Sequence, residues 1–136
     1  MANNFNSRSS QKERSQLMAA KRGQELMQKT IHDTMHSPKK FRPTYIHYLC
    51  EYAKEIYENV EEANYYKDID RVLAKQYAHK VEINIKLYTD VLDAFRLENG
   101  LNKDDEIDLL NALSEFWKLF EPWSNKFIFD NNNNNQ

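Results

Sequence analysis

The residues of this chain that could carry chemistry are two histidines, one cysteine and two acidic clusters. His32 and His36 stand four residues apart, a spacing that places two metal ligands on one face of a helix. Asp33 is the only further ligand type nearby and falls elsewhere on the helix, so we interpret the pair as surface histidines. Di-metal helical bundles use Glu-x-x-His pairs that project inward, and this spacing is absent from the sequence. We predict no metal site.

Neither the cysteine nor the acidic clusters predict catalysis. Cys50 lies beside an apolar seam and no motif places a base next to it, so we interpret it as a small hydrophobic residue. Glu61 and Glu62 are adjacent, and adjacent residues of a helix diverge by about 100 degrees. The acidic residues 104–106 suit the first turn of a helix, where the dipole favours anions. We predict no catalytic residue, no cofactor and no small-molecule substrate. The alternative is an enzyme that assembles its cluster across several helices.

Charge is distributed unevenly along the chain. The net charge is only −2, but residues 1–45 hold nine basic and three acidic residues, and the remainder holds ten basic and eighteen acidic residues. A basic segment on an acidic body can orient a polyanion or a partner subunit. We predict phosphate contacts by the basic set Arg8, Lys12, Arg14, Lys21, Arg22, Lys29, Lys39, Lys40 and Arg42. Tyr45 and Tyr48 follow closely and can stack on unpaired bases. The alternative is a solvated basic face, with these tyrosines in the bundle or in a subunit interface.

Aromatic residues are numerous for a chain of this size. It contains eight tyrosines and two tryptophans, more than a four-helix core can enclose. Tyrosine and tryptophan are enriched in contacts between subunits. We therefore predict an oligomer interface that includes Tyr65, Tyr66, Trp117 and Trp123. A ring of identical heterologous contacts would bury them without a two-fold axis.

The elements that position these residues are predicted to be helices. Glycine and proline are scarce, with two and three copies, and apolar residues recur at spacings of three and four. The first helix should run from about Lys12 to about Met35. Its apolar stripe contains Leu17, Met18, Ala20, Leu26, Met27, Ile31 and Met35. The second should begin near Pro43, with a seam of Ile46, Leu49, Ala53, Ile56, Val60 and Ala63.

Two further helices follow. The third should be capped by Asp68 or Asp70 and end at Gly100 in the left-handed conformation. Its stripe contains Ala74, Ala78, Val81, Ile85, Tyr88, Leu92 and Phe95. The fourth should be capped by Asn102 and end at Pro122. Its stripe contains Leu109, Leu113, Phe116 and Phe120, joined by Ile107, Leu110 and Trp117.

Short connections between these helices predict an all-α, up-down-up-down antiparallel four-helix bundle at residues 11–127. A three-helix bundle with a loose N-terminal arm is the alternative. We expect residues 1–10 and the Asn-rich tail 128–136 to be disordered. No apolar run is long enough to span a bilayer, the N-terminus has no signal-like segment, and the single cysteine suits a reducing compartment. We therefore predict a cytoplasmic protein without membrane contact.

Three segments resemble a bacterial family of four-helix-bundle proteins. They are KKFRPTYIHYLCEYAKEIYENVEEANYYKD, INIKLYTDVLDAFRLENGLN and LLNALSEFWKLFEPWSNK. The resembling features are a basic joint at Phe41 and Arg42, a helix end at Val60, Glu62, Ala63 and Asn64, and the late Trp117 and Trp123. The family includes the accessory variability determinant of diversity-generating retroelements and the proteins encoded by intervening sequences in bacterial ribosomal RNA genes. This chain departs from it in a sequence pI near 6.1, where the retroelement accessory is strongly basic, and in a more polar first helix.

The resemblance implies a ring-shaped homo-oligomer, with a pentamer as precedent, that binds a reverse transcriptase and its structured template RNA. We expect a non-enzymatic adaptor of this kind. Two alternatives are a protein-only interaction oligomer of a mobile element or phage, and a ribosomal RNA intervening-sequence protein. The acidic body of the chain favours the protein-only alternative.

Overall fold

The computed structural model describes the backbone of residues 18–134 and the side chains of residues 18–126. This part of the chain is all-helical and contains no strand, as predicted. Its four helices are α1 (Met18–Thr34), α2 (His47–Tyr66), α3 (Arg71–Leu97) and α4 (Lys103–Asn134). A 3₁₀ turn, Lys39–Phe41, and a π-helical turn, Arg42–Ile46, lead into α2. The presence of α1 as a packed helix makes the three-helix alternative wrong.

Side-chain caps begin two of the helices at the predicted residues. Asp70 is extended, and its carboxylate accepts a hydrogen bond from the backbone N–H of Leu73 at 3.1 Å, which begins α3. Asn102 Oδ1 accepts from the backbone N–H of Asp105 at 2.8 Å, and acidic residues fill the first turn of α4. The caps at Asp70 and Asn102 are therefore confirmed.

The third helix ends before Asn99-Gly100 as predicted but with a different left-handed residue, and the predicted end of the fourth helix is wrong. The left-handed residue after α3 is Asn99, at φ 56°, rather than Gly100. Gly100 serves packing instead, because a Cβ there would clash with the buried ring of Phe95. Helix α4 also does not end at Pro122 but continues to Asn134. Pro122 is exposed, so the carbonyl of Lys118, which loses its helical partner, can be hydrated.

The predicted division of the chain stays a prediction at both ends. The arm at residues 1–10 lies outside the described residues, as do Arg8, Lys12, Arg14 and Leu17. The predicted tail at residues 128–136 overlaps the described backbone of α4 as far as Asn134, and residues 135–136 lie outside it.

The core consists of the predicted stripes of α2, α3 and α4. Most of their members are less than 2% exposed, and Ile46, Ile85 and Leu113 are half-buried. Ile107, by contrast, is 46% exposed. The buried apolar members of the three helices are Leu49, Ala53, Ile56, Val60, Ala63, Ala74, Ala78, Val81, Tyr88, Leu92, Phe95, Leu109, Phe116 and Phe120.

Helix α1 buries only part of its predicted stripe: Ala20 and Leu26 are buried and Met27 is half-buried. Met18, Ile31 and Met35 of the predicted stripe are exposed, and Met35 reaches 70%. The buried face consists of smaller and more polar residues: Ala19, Ala20, Gly23, Leu26, Thr30, Asp33 and Thr34. Small residues suit this buried face, because α1 packs closely against both α2 and α4.

Gly23 marks the closest approach of α1 to its neighbours. A Cβ at this position would lie 3.3 Å from Cε1 of Phe116 in α4 and 3.6 Å from Cα of Tyr57 in α2. Across the core, the Thr30 and Tyr88 hydroxyls lie 2.8 Å apart and join α1 to α3. Helix α2 packs most extensively on α3. Among the described residues, none of the helices has the length and apolar character needed to cross a membrane.

Candidate nucleic-acid interface

The connection between α1 and α2 presents three basic side chains to solvent. Pro38 is extended, with φ −57° and ψ 138°, and ends the helical path of α1. Lys39 and Lys40 follow in the 3₁₀ turn and Arg42 opens the π-helical turn, which has Pro43 in its first turn. All three basic residues are exposed. They lie within four consecutive residues, and we call this exposed basic segment the basic connection (Lys39, Lys40 and Arg42).

Aromatic packing holds the basic connection against the end of α3. The Phe41 ring meets the buried Phe95 ring edge to face, with centroids 5.2 Å apart. Lys40 Nζ lies 5.0 Å from the Phe41 centroid, a cation–π contact that restrains the lysine stem. The backbone of the patch is therefore fixed by core residues while its charges face water.

Of the two tyrosines predicted to stack on bases, only Tyr48 is available. Tyr45 is half-buried and stacks on Phe95, with centroids 5.3 Å apart and an interplanar angle of 20°. Tyr48 is 49% exposed, and its ring lies 6.3 Å from that of Tyr52 in a stacked arrangement. Tyr48 is therefore the first exposed aromatic ring of α2 after the basic connection.

Two of the predicted phosphate ligands on α1 form ion pairs with acidic residues. Arg22 lies 2.8 Å from Glu25 and 3.6 Å from Glu115 of α4. Lys29 Nζ lies 3.0 Å from Asp108 Oδ1, and this hydrogen bond raises the pKa of Lys29. The pairs with Glu115 and Asp108 were not foreseen, because they depend on how α1 and α4 align in space. Lys21 is exposed on α1, and Arg14 lies outside the described residues.

The histidine pair also belongs to the contact between α1 and α4. His36 Nδ1 lies 3.0 Å from Asp105 Oδ2, which also accepts from Asn102 Nδ2 at 2.9 Å. His32 Nδ1 lies 3.1 Å from Asp33 Oδ1, and the two imidazole rings meet edge to face. In the described part of the chain, no group of three or more His, Cys, Asp or Glu residues could hold a metal ion.

Asp33 and Asp108 are electrostatically linked across this contact. Burial raises the pKa of Asp33, and the neighbouring Asp108 raises it further. The pKa of Asp108 is lowered by Asp33 and by the hydrogen bond from Lys29. Asp33 Oδ2 is buried and has no hydrogen-bond partner among the described residues, so protonation of Asp33 removes a buried charge.

Cys50 has the environment of a structural thiol. It is half-buried, and its sulfur lies 3.9 Å from the hydroxyl of Thr34. Burial raises the pKa of the Cys50 thiol, so little thiolate is present near neutral pH.

The four residues predicted for an oligomer interface differ in exposure. Tyr65 is 61% exposed, whereas Tyr66 stacks on Tyr77 with centroids 5.9 Å apart. Trp117 and Trp123 are half-buried against Phe120, at 5.9 and 6.0 Å between ring centroids. The two tryptophans therefore complete the core, and Tyr65 is the predicted residue most open to a partner.

Two apolar residues missed by the sequence interpretation accompany Tyr65. Ile69 is 66% exposed and Val72 is 65% exposed, both in or next to the turn from α2 to α3. We call Tyr65, Ile69 and Val72 the apolar tip. Its members lie at irregular spacings across a turn, so helical periodicity could not detect it. Since α2 has 20 residues, the tip lies about 30 Å from the basic connection.

Comparisons of the chain with protein-family models, with curated proteins and with solved structures found no match.

Proposed function

We propose that this protein is a non-enzymatic adaptor that binds RNA through the basic connection. One observation supports it above all: Lys39, Lys40 and Arg42 are exposed together, and no carboxylate of the described residues forms an ion pair with them. Arg22 and Lys29, by contrast, pair with Glu25 of α1 and Asp108 of α4. Phosphates of a nucleic acid are suitable partners for three cations fixed on a rigid backbone.

Single-stranded RNA suits this patch better than a duplex. Tyr48 follows the basic connection with an exposed ring, and such rings stack on unpaired bases. The acidic residues of the remaining body confine binding to this end, because they repel phosphates elsewhere. By the resemblance given above, the RNA would be the template of a reverse transcriptase and the protein would act in the cytoplasm beside that enzyme.

The same proposal includes the assembly. The four helices would form an up-down-up-down antiparallel bundle, and copies of the bundle would form a ring, with a pentamer as the family precedent. The apolar tip supports self-association, because exposed apolar groups gain free energy when a neighbour covers them.

Fluorescence anisotropy with a labelled single-stranded RNA at low salt tests the RNA interface. The triple variant Lys39→Ala, Lys40→Ala, Arg42→Ala should bind at least about tenfold more weakly than the parent chain, since it loses three phosphate contacts. The control Lys86→Ala, Lys118→Ala, Lys126→Ala removes the same charge from exposed lysines outside the predicted phosphate-binding set and should change affinity by less than about twofold. Equal losses in both variants, or no binding by the parent chain, would disprove this function.

A protein-only interaction oligomer is the second candidate, and the apolar tip together with the acidic body favours it. Affinity capture from the native host separates the two candidates. Partners that stay attached after nuclease treatment support the protein-only function, and partners that are released support the RNA adaptor. A ribosomal RNA intervening-sequence protein is a further branch of the same resemblance, and the neighbouring gene identifies it.

A further inference from the structure

Two exposed histidines lie on the last turns of α1, where this helix meets α4. His32 and His36 are one helical turn apart, and their rings meet edge to face with centroids 5.3 Å apart. Their side chains are 72% and 51% exposed, so solutes can reach both rings. Histidine is the side chain whose charge changes in the pH range from 5 to 8. This end of α1 can therefore gain up to two positive charges as the pH falls.

Each imidazole is oriented by a carboxylate. His36 Nδ1 lies 3.0 Å from Asp105 Oδ2 of α4, and His32 Nδ1 lies 3.1 Å from Asp33 Oδ1. An ionised carboxylate only accepts hydrogen bonds, so Nδ1 carries the proton of the neutral His36 ring. Nε2 of that tautomer has a lone pair and cannot donate to a phosphate oxygen. Protonation turns Nε2 into a second donor and keeps the Nδ1 hydrogen bond to Asp105.

The two carboxylates lie deeper than the histidines that they orient. The Asp105 side chain is 12% exposed and also accepts from Asn102 Nδ2 at 2.9 Å. The Asp33 side chain is 6% exposed. An anion that approaches from solvent therefore meets the imidazole rings before it meets these carboxylates.

The other titratable groups around Asp33 hold their charge state as the histidines titrate. Asp108 of α4, whose pKa is lowered by Asp33 and by Lys29, stays ionised, and Lys29 stays charged. Tyr88 of α3 is electrostatically linked to Asp33 and to Cys50 of α2. Burial raises the pKa of Tyr88 and of the Cys50 thiol, so both stay neutral. Asp33 itself, whose pKa burial raises, can only lose negative charge as the pH falls.

The histidines act on the basic connection at short range. Three peptide units join His36 to Lys39, so their Cα atoms are at most about 11 Å apart. The screening length in 0.1 M salt is about 10 Å, and it is longer in more dilute salt. A phosphate bound by Lys39 therefore lies within range of a charge on His36.

We propose that His36, together with His32, is a proton-dependent part of the RNA interface. In the charged state, Nε2 of each ring donates to a phosphate that follows those bound by the basic connection. A phosphate against both rings also offsets the repulsion between two like charges 5.3 Å apart. RNA is therefore bound more tightly in weak acid and released as the pH rises. This regulation rests on the RNA-binding function proposed above.

Anisotropy with a labelled oligouridine at two pH values tests the proposal, because uracil bases stay essentially neutral at about pH 5.5 and about pH 7.5. The buffers are matched in ionic strength, since salt alone changes the affinity. The parent chain should bind at least about fivefold more tightly at the lower pH. The variant His32→Gln, His36→Gln should differ by less than about twofold between the two pH values, because glutamine does not titrate.

The other two of the four histidines supply the matched control. His47→Gln, His79→Gln removes the same number of imidazoles from exposed positions on α2 and α3. This variant should keep the pH dependence of the parent chain, and far-UV circular dichroism checks that both double variants are folded. If the pH dependence is lost in this control instead, another histidine is responsible and the proposal is overturned.

An NMR titration of the parent chain tests the proposal without any variant. If RNA prefers the charged rings, RNA must in turn hold protons on them. The imidazole signals of His32 and His36 should therefore lose their protons at a higher pH with oligouridine than without it, and the signal of His79 should not change. Unchanged titrations with RNA bound, or equal affinities at the two pH values, would overturn this proposal and leave RNA binding intact. An absence of binding at both pH values would overturn it together with the function on which it rests.

Discussion

At the scale of single residues, the Thr30–Tyr88 contact is the main buried polar link of the core. The Thr30 hydroxyl lies 2.7 Å from the carbonyl of Leu26, to which it donates, and 2.8 Å from the Tyr88 hydroxyl. Thr30 and Tyr88 are fully buried, and burial raises the pKa of Tyr88 strongly. A hydrogen bond in this setting fixes α1 against α3, because the alternative is an unpaired phenol in the core.

Thr30→Val should therefore lower the free energy of unfolding by about 1–3 kcal/mol, the cost of leaving a buried polar group without a partner. Urea unfolding measures the change. Thr89→Val is the matched control, since the half-buried Thr89 hydroxyl donates only to the carbonyl of Ile85, at 2.8 Å. Similar losses in the two variants would contradict the role given to the Thr30–Tyr88 contact.

At the scale of elements, the contact between α1 and α4 depends on a buried carboxyl group. Burial raises the pKa of Asp33 above its ordinary value, so folding favours the protonated form. The contribution of Asp33 to stability is fully present below its unfolded pKa, near 3.9, and declines as the pH rises through the higher folded pKa. At neutral pH the raised pKa of Asp33 therefore makes this carboxyl group a net cost to stability.

Asp33→Asn removes that cost, because the amide is nearly isosteric and carries no charge. The variant should have a higher free energy of unfolding than the parent at pH 7, and the difference should shrink towards pH 4. Urea titrations at a series of pH values measure both trends. Asp93→Asn, at an exposed carboxylate that pairs with Arg96, is the control and should show no gain at pH 7. A loss of stability in Asp33→Asn at every pH would contradict the interpretation.

Part of the fold, at the scale of elements, could be predicted from the sequence alone. Helices α2 and α3 and the caps at Asp70 and Asn102 follow from apolar periodicity and local hydrogen bonding, which depend on neighbours in the chain. The buried face of α1 does not follow from apolar periodicity, because Gly23 and Thr30 are buried through contacts with other helices rather than through their own hydrophobicity.

One part of the candidate site could also be predicted from the sequence, and another part could not. The position of the basic connection follows from Pro38, which ends the helical path of α1, and from Pro43, which suits the first turn of the next helix. The neutralisation of Lys29 by Asp108 does not follow from the sequence, since 79 residues separate the pair.

At the scale of the whole molecule, the proposed interaction surfaces lie apart. The basic connection precedes α2, and the apolar tip follows it. An assembly through the tip would therefore leave the basic connection free for RNA.

Light scattering tests this assembly. The parent chain should have a mass of about five times 16.3 kDa if the family precedent holds. Tyr65→Glu should shift the mass towards 16.3 kDa, because it places a charge in the apolar tip. Tyr48→Glu, at a tyrosine of similar exposure near the other end of α2, should leave the mass unchanged. A parent chain that is monomeric at high concentration would contradict the proposed ring.

The salt dependence of RNA binding tests the proposed function most directly. For single strands the slope of log K against log salt concentration is about −0.7 per neutralised phosphate, so loss of the three cations of the basic connection should reduce its magnitude by about two. The comparison is made between the parent chain and the variant Lys39→Ala, Lys40→Ala, Arg42→Ala, by anisotropy at several salt concentrations. A steep slope for the parent and a shallower one for the variant is the predicted result. Parallel lines for the two proteins would show that phosphates bind elsewhere or not at all.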